Sequence, residues 1–147
     1  MKYEGQGLKG EAMGEAMKRF LIGCILSLAA VFPAFAEDDG IRVTEIVITS
    51  KIVKGKPIDS IKRLSSSTDK NLYCFIRTLA PAGTETKVTH VWYKGTEKAG
   101  QFELPVKGVK WRTYSKKLIP KGLAGDWRVE VLDSSGKLLK SVKFTMN

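Results

Sequence analysis

His90 and Cys74 are the residues best suited to catalysis, in a sequence that contains one histidine and two cysteines. A thiol and an imidazole can act together as nucleophile and base. Cys74, however, alternates in phase with Leu72 and Ile76, which is the setting of a buried and inert thiol. No third group is visible that would orient a base, and one histidine without a CxxC motif cannot complete a zinc site. We therefore predict no catalytic residues, no metal and no cofactor.

His90 and the three tryptophans all occur within alternating apolar runs. Standing between Val88 and Trp92, His90 is predicted to be semi-buried and to hydrogen-bond a neighbouring loop. Trp92, Trp111 and Trp127 fall on the core side of their strands, which favours packing. Flat rings also suit the apolar faces of sugars, so a sugar-stacking platform is the alternative.

Basic residues are concentrated around two strands and their loops, with two tyrosines nearby. Such a surface attracts anions, although charged runs more often form a solvated exterior. Nucleic acid is not expected as a partner, because the charge is spread out rather than gathered in an arginine-rich groove. Anionic lipid head groups, acidic glycans or an acidic protein are the favoured partners. The candidate binding surface consists of Tyr93, Lys110, Arg112, Tyr114, Lys116, Lys117 and Arg128, with Lys107 and Lys121 beside it.

The elements that must position these residues are short strands, because apolar residues after position 40 recur with a period of two. Glycines within short polar segments predict hairpin turns at 94–97 and 133–136. This rhythm predicts an all-β fold, a two-sheet antiparallel β-sandwich of the immunoglobulin-like kind. About seven strands are predicted, at 42–49, 71–79, 87–94, 101–106, 110–116, 127–133 and 138–146.

Three strands alternate clearly enough for their inward sides to be assigned. Residues 52–70 have no period and are rich in Lys and Ser, which predicts a long surface loop with at most a short turn of helix. The predicted inward sets are Val88, His90 and Trp92; Phe102, Leu104 and Val106; and Trp127, Val129 and Val131.

A leader is predicted at 1–36, where an apolar run follows two basic residues and ends in an Ala-x-Ala sequence. This is the layout of a signal peptide, assigned to 17–36, with translation starting at Met17 and cleavage before Glu37. The run is short of the roughly 20 residues of a membrane span, and Pro33 interrupts it. Cleavage is therefore favoured over retention as an anchor.

Residues 37–147 are predicted to be one β-sandwich domain. Removing 1–36 takes away four basic and three acidic residues, so the net charge falls from +10 to +9. Cys74 is then the remaining cysteine, which excludes an intramolecular disulfide. A chain of about 110 residues can hold a fold by its core alone.

Four short motifs occur in order: LYCF at 72–75, HVWY at 90–93, WRTYS at 111–115 and GDWRVEV at 125–131. Together they resemble the bacterial family called domain of unknown function 2914, over roughly residues 43–144. The resemblance implies a compact β-rich domain found in exported or membrane-attached proteins. It implies no activity.

These features favour a non-enzymatic binding or interaction module of the bacterial cell envelope, periplasmic or secreted, that holds its partner by strand edges or loops. The partner would be an unknown protein or an anionic envelope component. Membrane contact would be at most peripheral once the leader is removed. The alternative is a carbohydrate-binding module that uses exposed Tyr and Trp.

Overall fold

The computed structural model describes residues 40–147, which belong to one compact unit. The predicted leader, its start at Met17 and the cleavage site before Glu37 lie outside the described residues. Strands joined by turns and bends make up the described part. No helix in it has the length and hydrophobicity that a membrane span requires.

Seven long strands lie at the seven predicted positions, with ends that differ from the prediction by at most four residues. Three further strands have two residues each. In chain order the strands are β1 Arg42–Thr49, β2 Ile52–Val53, β3 Lys56–Pro57, β4 Arg63–Leu64, β5 Lys70–Leu79, β6 Thr86–Lys94, β7 Glu97–Val106, β8 Lys110–Ile119, β9 Gly125–Leu132 and β10 Leu138–Met146.

The long strands form two antiparallel sheets, with the orders β1-β5-β8 and β10-β9-β6-β7. The first, second and fifth long strands thus lie in one sheet, and the third, fourth, sixth and seventh in the other. This is the division of an immunoglobulin-like sandwich whose fourth strand has joined the second sheet. The predicted fold class is confirmed.

The core lies between the sheets and confirms most of the predicted inward sides. Val88, His90 and Trp92 are fully buried, as are Val129 and Val131, and Trp127 is 3% exposed. On the edge strand β7 only the end of the predicted set is covered: Val106 is buried, whereas Phe102 and Leu104 are half-buried. An edge strand has a neighbour on one side alone, which explains the difference.

Both predicted hairpin turns are present, and each places its glycine at positive φ. Gly95, between β6 and β7, has φ +57°, and Gly136, between β9 and β10, has φ +87°. In the second turn Asp133 Oδ1 accepts hydrogen bonds from the backbone N–H groups of Ser135 and Lys137, each at 2.9 Å. Asp133 is 3% exposed, and these bonds compensate the burial of Oδ1, whereas Oδ2 is buried without a partner.

The segment 52–70, predicted as one loop with at most a turn of helix, instead contains β2, β3 and β4. β2 and β3 form a tight hairpin whose central residues, Lys54 and Gly55, have φ of +51° and +72°, as in a type I′ turn. β4 pairs in parallel with the distant strand β10. Strands of two residues are too short to show a period, which is why the pattern missed them.

Candidate binding face

Strand β8 organises the candidate surface, because its side chains alternate between solvent and core. The exposed members are Lys110, Arg112, Tyr114, Lys116 and Leu118. Lys117 has the opposite phase: it is half-buried on the side of Ser115, and its Cε lies 3.5 Å from the position of a Cβ added to Gly100. Lys117 is therefore removed from the predicted surface. Lys107 and Lys121 are exposed in the loops beside β8.

Tyr93 and Arg128 lie on the other sheet, on β6 and β9, where they are cross-strand partners. The Arg128 guanidinium stacks 4.1 Å from the Tyr93 ring centroid. It also donates to the Gly95 carbonyl at 2.7 Å and to Glu130 Oε1 at 3.2 Å. The sandwich thus separates this pair from the β8 residues, and Arg128 is already engaged within its own sheet.

Three rungs of paired residues cross the outer side of β1, β5 and β8. Two of them end on a cation of β8, and the rung between them ends on an aromatic ring. The rungs are Glu45, Arg77 and Arg112; Val47, Phe75 and Tyr114; and Thr49, Tyr73 and Lys116.

Arg77 and Arg112 are direct cross-strand neighbours, which is unfavourable because like charges opposite each other repel. Arg77 Nε donates to Glu45 Oε2 at 2.5 Å, and both side chains are 38% exposed. Arg112 Nη1 makes only a long contact, 3.4 Å, to the Gly55 carbonyl. Since a guanidinium carries five N–H donors, the exposed Arg112 retains capacity for an external anion.

A concavity of 470 Å³ opens at this end of the sheet, and Arg77, Lys110 and Arg112 line it. None of the described residues that line it is acidic. A larger concavity, 540 Å³, involves β9 and β10, but there Arg128 and Lys143 are balanced by carboxylates. Of these two concavities, the smaller is therefore the one whose charge favours an anion.

The β2–β3 hairpin adds two cations to the same face. Gly55 accepts the contact from Arg112, and the exposed Lys54 and Lys56 flank Gly55 in the chain. The hairpin thus reaches across the outer side of the sheet as far as β8. Phe75, on the outward phase of β5, is fully buried.

Two tyrosines complete the surface. The Tyr73 and Tyr114 rings meet edge to face, with centroids 5.6 Å apart, and Lys116 Nζ lies 5.9 Å from the Tyr73 centroid. Tyr114 is 46% exposed, so its ring is available to a ligand. We call this surface the basic face, defined as Lys54, Lys56, Tyr73, Arg77, Lys110, Arg112, Tyr114 and Lys116.

The groups that resemble catalytic residues lie in the core instead. His90 Nδ1 is 2.8 Å from Ser115 Oγ, and the Trp92 indole N–H donates to the same oxygen at 3.1 Å. Burial lowers the pKa of His90 to about 4, and His90 Nε2 is buried without a hydrogen-bond partner. The prediction of a semi-buried histidine bonded to a loop is wrong: His90 is fully buried and its partner is on the facing sheet.

Cys74 is fully buried beside the same serine, since Cys74 and Ser115 are cross-strand partners. Burial raises the pKa of the Cys74 thiol, which suppresses the reactive thiolate. The described residues hold no group of three side chains placed to bind a metal ion. Nucleophile and base are thus both shielded from a substrate.

A tryptophan platform for sugars has no geometric basis on this fold. Trp92 is fully buried, and Trp127 stacks on Phe144 with centroids 6.0 Å apart and an interplanar angle of 20°. Trp111 is half-buried and packs against the core cluster. The core side predicted for all three is confirmed for Trp92 and Trp127, and in part for Trp111.

Sequence reasoning missed Lys54, Lys56 and Arg77 as members of the basic face. Arg77 joins it through the β5–β8 register, and the two lysines join through a hairpin too short to be recognised. The phase of β8 did carry a usable signal. Because Trp111 was placed inward, Ser115 and Lys117 should have been placed inward as well.

Comparison with curated proteins finds no match to this chain. Among solved structures, an immunoglobulin-like protein from Pseudomonas aeruginosa is 15% identical with a TM-score of 0.49, over 78% of this chain and 99% of that one. A DNA-bound alkylpurine DNA glycosylase from Pseudomonas fluorescens is 15% identical with a TM-score of 0.46, over 76% of this chain and 31% of that one. A Niemann-Pick type C2 protein from the Japanese carpenter ant is 12% identical with a TM-score of 0.41, over 76% of this chain and 98% of that one.

All three TM-scores are below 0.5, so the fold assignment rests on the strand order of the chain itself. A family model matches residues 85–146. Three of the four motifs, those at 90–93, 111–115 and 125–131, lie inside this match, and the motif at 72–75 lies before it. This match to the family described as protein of unknown function, DUF2914, supports the resemblance that the motifs predicted.

Proposed function

We propose that the protein is a non-enzymatic, exported binding module that holds an anion-bearing component of the cell envelope through the basic face. The observation that carries the proposal is the concavity where Arg77, Lys110 and Arg112 converge without an acidic lining residue. Glu45 already compensates the charge of Arg77. None of the carboxylates in the described residues pairs with Lys110 or Arg112, and like charges held close together repel unless an anion compensates them. A bound anion would supply that compensation.

The non-enzymatic part of the proposal is supported by where the reactive groups lie. His90, Ser115 and Cys74 are buried in the core, whereas the exposed basic face offers cations and tyrosines. Cations and rings of this kind bind and orient anions without proton transfer at neutral pH. We expect binding to require no cofactor and no metal.

Export and a periplasmic or secreted location are proposed from the predicted signal peptide at 17–36. Expression with the native leader in a bacterium should yield a protein that begins at Glu37, as read by N-terminal sequencing. If the exported protein retained its leader, the proposal of a soluble module would give way to that of a membrane-anchored one. Recovery of the whole chain in the cytoplasm would remove the envelope component as a partner.

Binding is tested with vesicles of phosphatidylglycerol and with polygalacturonate, against neutral phosphatidylcholine vesicles. Affinity for the anionic probes should fall steeply as salt rises, because the Debye length shrinks to about 10 Å at 0.1 M. Arg112→Glu combined with Lys116→Glu should weaken binding by about tenfold or more. The matched control is Lys140→Glu with Lys143→Glu, which makes the same charge change at exposed positions on β10.

If the control pair weakens binding as much as the β8 pair, net charge rather than the basic face is responsible. If the wild-type protein ignores every anionic probe at low salt, the basic face is only a solvated exterior. Neither pair should change the free energy of unfolding by more than about 0.5 kcal/mol, because exposed charges contribute little to stability.

A carbohydrate-binding module remains the second candidate, now supported by tyrosine rather than tryptophan. The half-exposed Tyr114 ring, held edge to face by Tyr73, could stack on a sugar. A glycan array separates the two candidates. Salt-insensitive binding to neutral glycans that Tyr114→Ala abolishes would favour carbohydrate recognition over the anion-binding proposal.

A further inference from the structure

Strand β8 ends its sheet, and none of the described strands hydrogen-bonds to its second edge. Strand β7 of the other sheet comes close to β8 where Gly100 meets Lys117, so the open part of the edge is the part before Lys117. It pairs with β5 over ten consecutive residues without a register shift. The other sheet edges are interrupted or short: β1 and β7 each carry a register shift, and β4 has two residues. Proteins usually blunt a free edge with bulges, prolines or short strands. β8 is thus the long regular edge of the described fold.

The backbone of such an edge is suited to pairing with another strand. Successive N–H and C=O groups of a strand point alternately to its two sides, so half of those in β8 are directed away from β5. An extended segment could bond to them and continue the sheet. Its outward side chains would then stand about 5 Å from those of β8.

The outward side chains of β8 define what that segment must carry. Lys110, Arg112 and Lys116 call for acidic partners, and Tyr114 and Leu118, 46% and 52% exposed, call for apolar ones. A second copy of this chain does not meet the requirement. Antiparallel self-pairing centred on Tyr114 would set Arg112 against Lys116, and like charges opposite each other destabilise a sheet.

We propose that β8 is the docking edge for an extended acidic segment of a partner protein, which adds a fourth strand to the β1-β5-β8 sheet. This rests on the proposed function, because the basic face supplies the charge recognition. Backbone hydrogen bonds give the affinity, and the alternating pattern of acidic and apolar side chains gives the specificity. An acidic side chain opposite Arg112 lies at the concavity, where Arg77 and Lys110 also contribute.

The test uses the full chain, expressed with its leader, and synthetic peptides. One peptide carries Glu at positions that face Lys110, Arg112 and Lys116, and Val at those that face Tyr114 and Leu118. Its reversed sequence distinguishes parallel from antiparallel addition. Isothermal titration should detect binding of one orientation, and hydrogen exchange should show new protection of β8 amides. Replacing each Glu by Gln should weaken binding by about tenfold or more.

N-methylation of the peptide separates strand addition from simple charge attraction. Methyl groups on the amides that face β8 should weaken binding by about tenfold or more, while methyl groups on the alternate amides leave it unchanged. Equal effects of the two methylated series would overturn strand addition and leave the anion-binding function standing. Binding of phosphatidylglycerol vesicles or polygalacturonate without any peptide binding would overturn the protein partner. Failure of every anionic probe would refute both proposals.

Discussion

His90 is an unusual group to find at the centre of an apolar core. Ser115 satisfies Nδ1 and also accepts from Trp92, so one hydroxyl links β6 to the facing strand β8. Nε2 remains without a partner, which is costly for a buried polar atom. The alternation of apolar residues predicted that His90 faces inward. Its partner Ser115 lies 25 residues later in the chain and on the other sheet, so no local sequence pattern could predict this hydrogen bond.

Burial of His90 should make the protein sensitive to mild acid. The folded state holds the imidazole neutral with a pKa of about 4, whereas the unfolded chain takes up a proton below about pH 6.5. Stability is therefore full above pH 6.5 and falls as pH drops towards 4, by up to about 1.4 kcal/mol per unit and about 3 kcal/mol in total. Urea unfolding at several pH values across this range measures the loss in the free energy of unfolding.

His90→Gln supplies the control, since an amide does not titrate. This variant should be less stable at neutral pH but should lack the slope between pH 6.5 and 4. Hydrogen bonds from neighbouring serines outweigh burial and lower the pKa values of Asp59 and Asp133, whose contributions are lost below their ordinary value of 3.8. They therefore act outside this window. A flat wild-type profile above pH 4 would contradict the assignment.

Trp127 is expected to be a main contributor to core stability. Its ring stacks on Phe144, and its indole N–H donates to the Leu123 carbonyl at 3.2 Å. Trp127→Ala should lower the free energy of unfolding by about 3 to 5 kcal/mol, as large-to-small core changes do. Tyr114→Ala, which removes a half-exposed ring, should cost about 1 kcal/mol or less. Thermal denaturation of the two variants measures this difference. If both variants lost comparable stability, the assignment of Trp127 to the core and of Tyr114 to the surface would be contradicted.

At the scale of elements, the long strands were predictable and the short ones were not. The seven long strands have eight to ten residues each, and a strand of that length that buries one side shows a period of two in its sequence. β4 forms because it pairs in parallel with β10, a strand that lies far from it in the sequence. The β2–β3 turn escaped recognition because it contains Lys-Gly, whereas Asn-Gly is the usual signal for this turn.

Lys54 adopts φ +51°, a conformation that Asn tolerates better than Lys. Lys54→Asn should therefore stabilise the hairpin by about 0.5 to 1 kcal/mol, while the lost charge weakens binding of anionic probes. Lys56→Asn is the matched control, because it removes the same charge at a position without positive φ. Paired melting and binding measurements check both effects. Equal stability changes in the two variants would show that the turn carries no strain at Lys54.

At the scale of the whole molecule, the sandwich decides which cations act together. Sequence reasoning placed Arg128 and Tyr93 with the β8 residues, as if consecutive strands shared a surface. The chain instead crosses between sheets after β8, so β9 pairs with β6 and β10 while β8 pairs with β5. The basic face consequently loses Arg128 and gains Arg77. Strand order depends on contacts between distant segments, which a single sequence with period-two patterning does not encode locally.

Mapping an anionic probe onto the protein by NMR chemical-shift perturbation tests the basic face most directly. Titration with polygalacturonate at low salt should shift backbone amides of β8, of the β5 residues around Arg77 and of the β2–β3 turn. These shifts should disappear at high salt, and amides around Tyr93 and Arg128 should stay unchanged. Perturbation centred on the β6–β9 surface, or spread evenly over both sheets, would contradict the basic face as the binding surface.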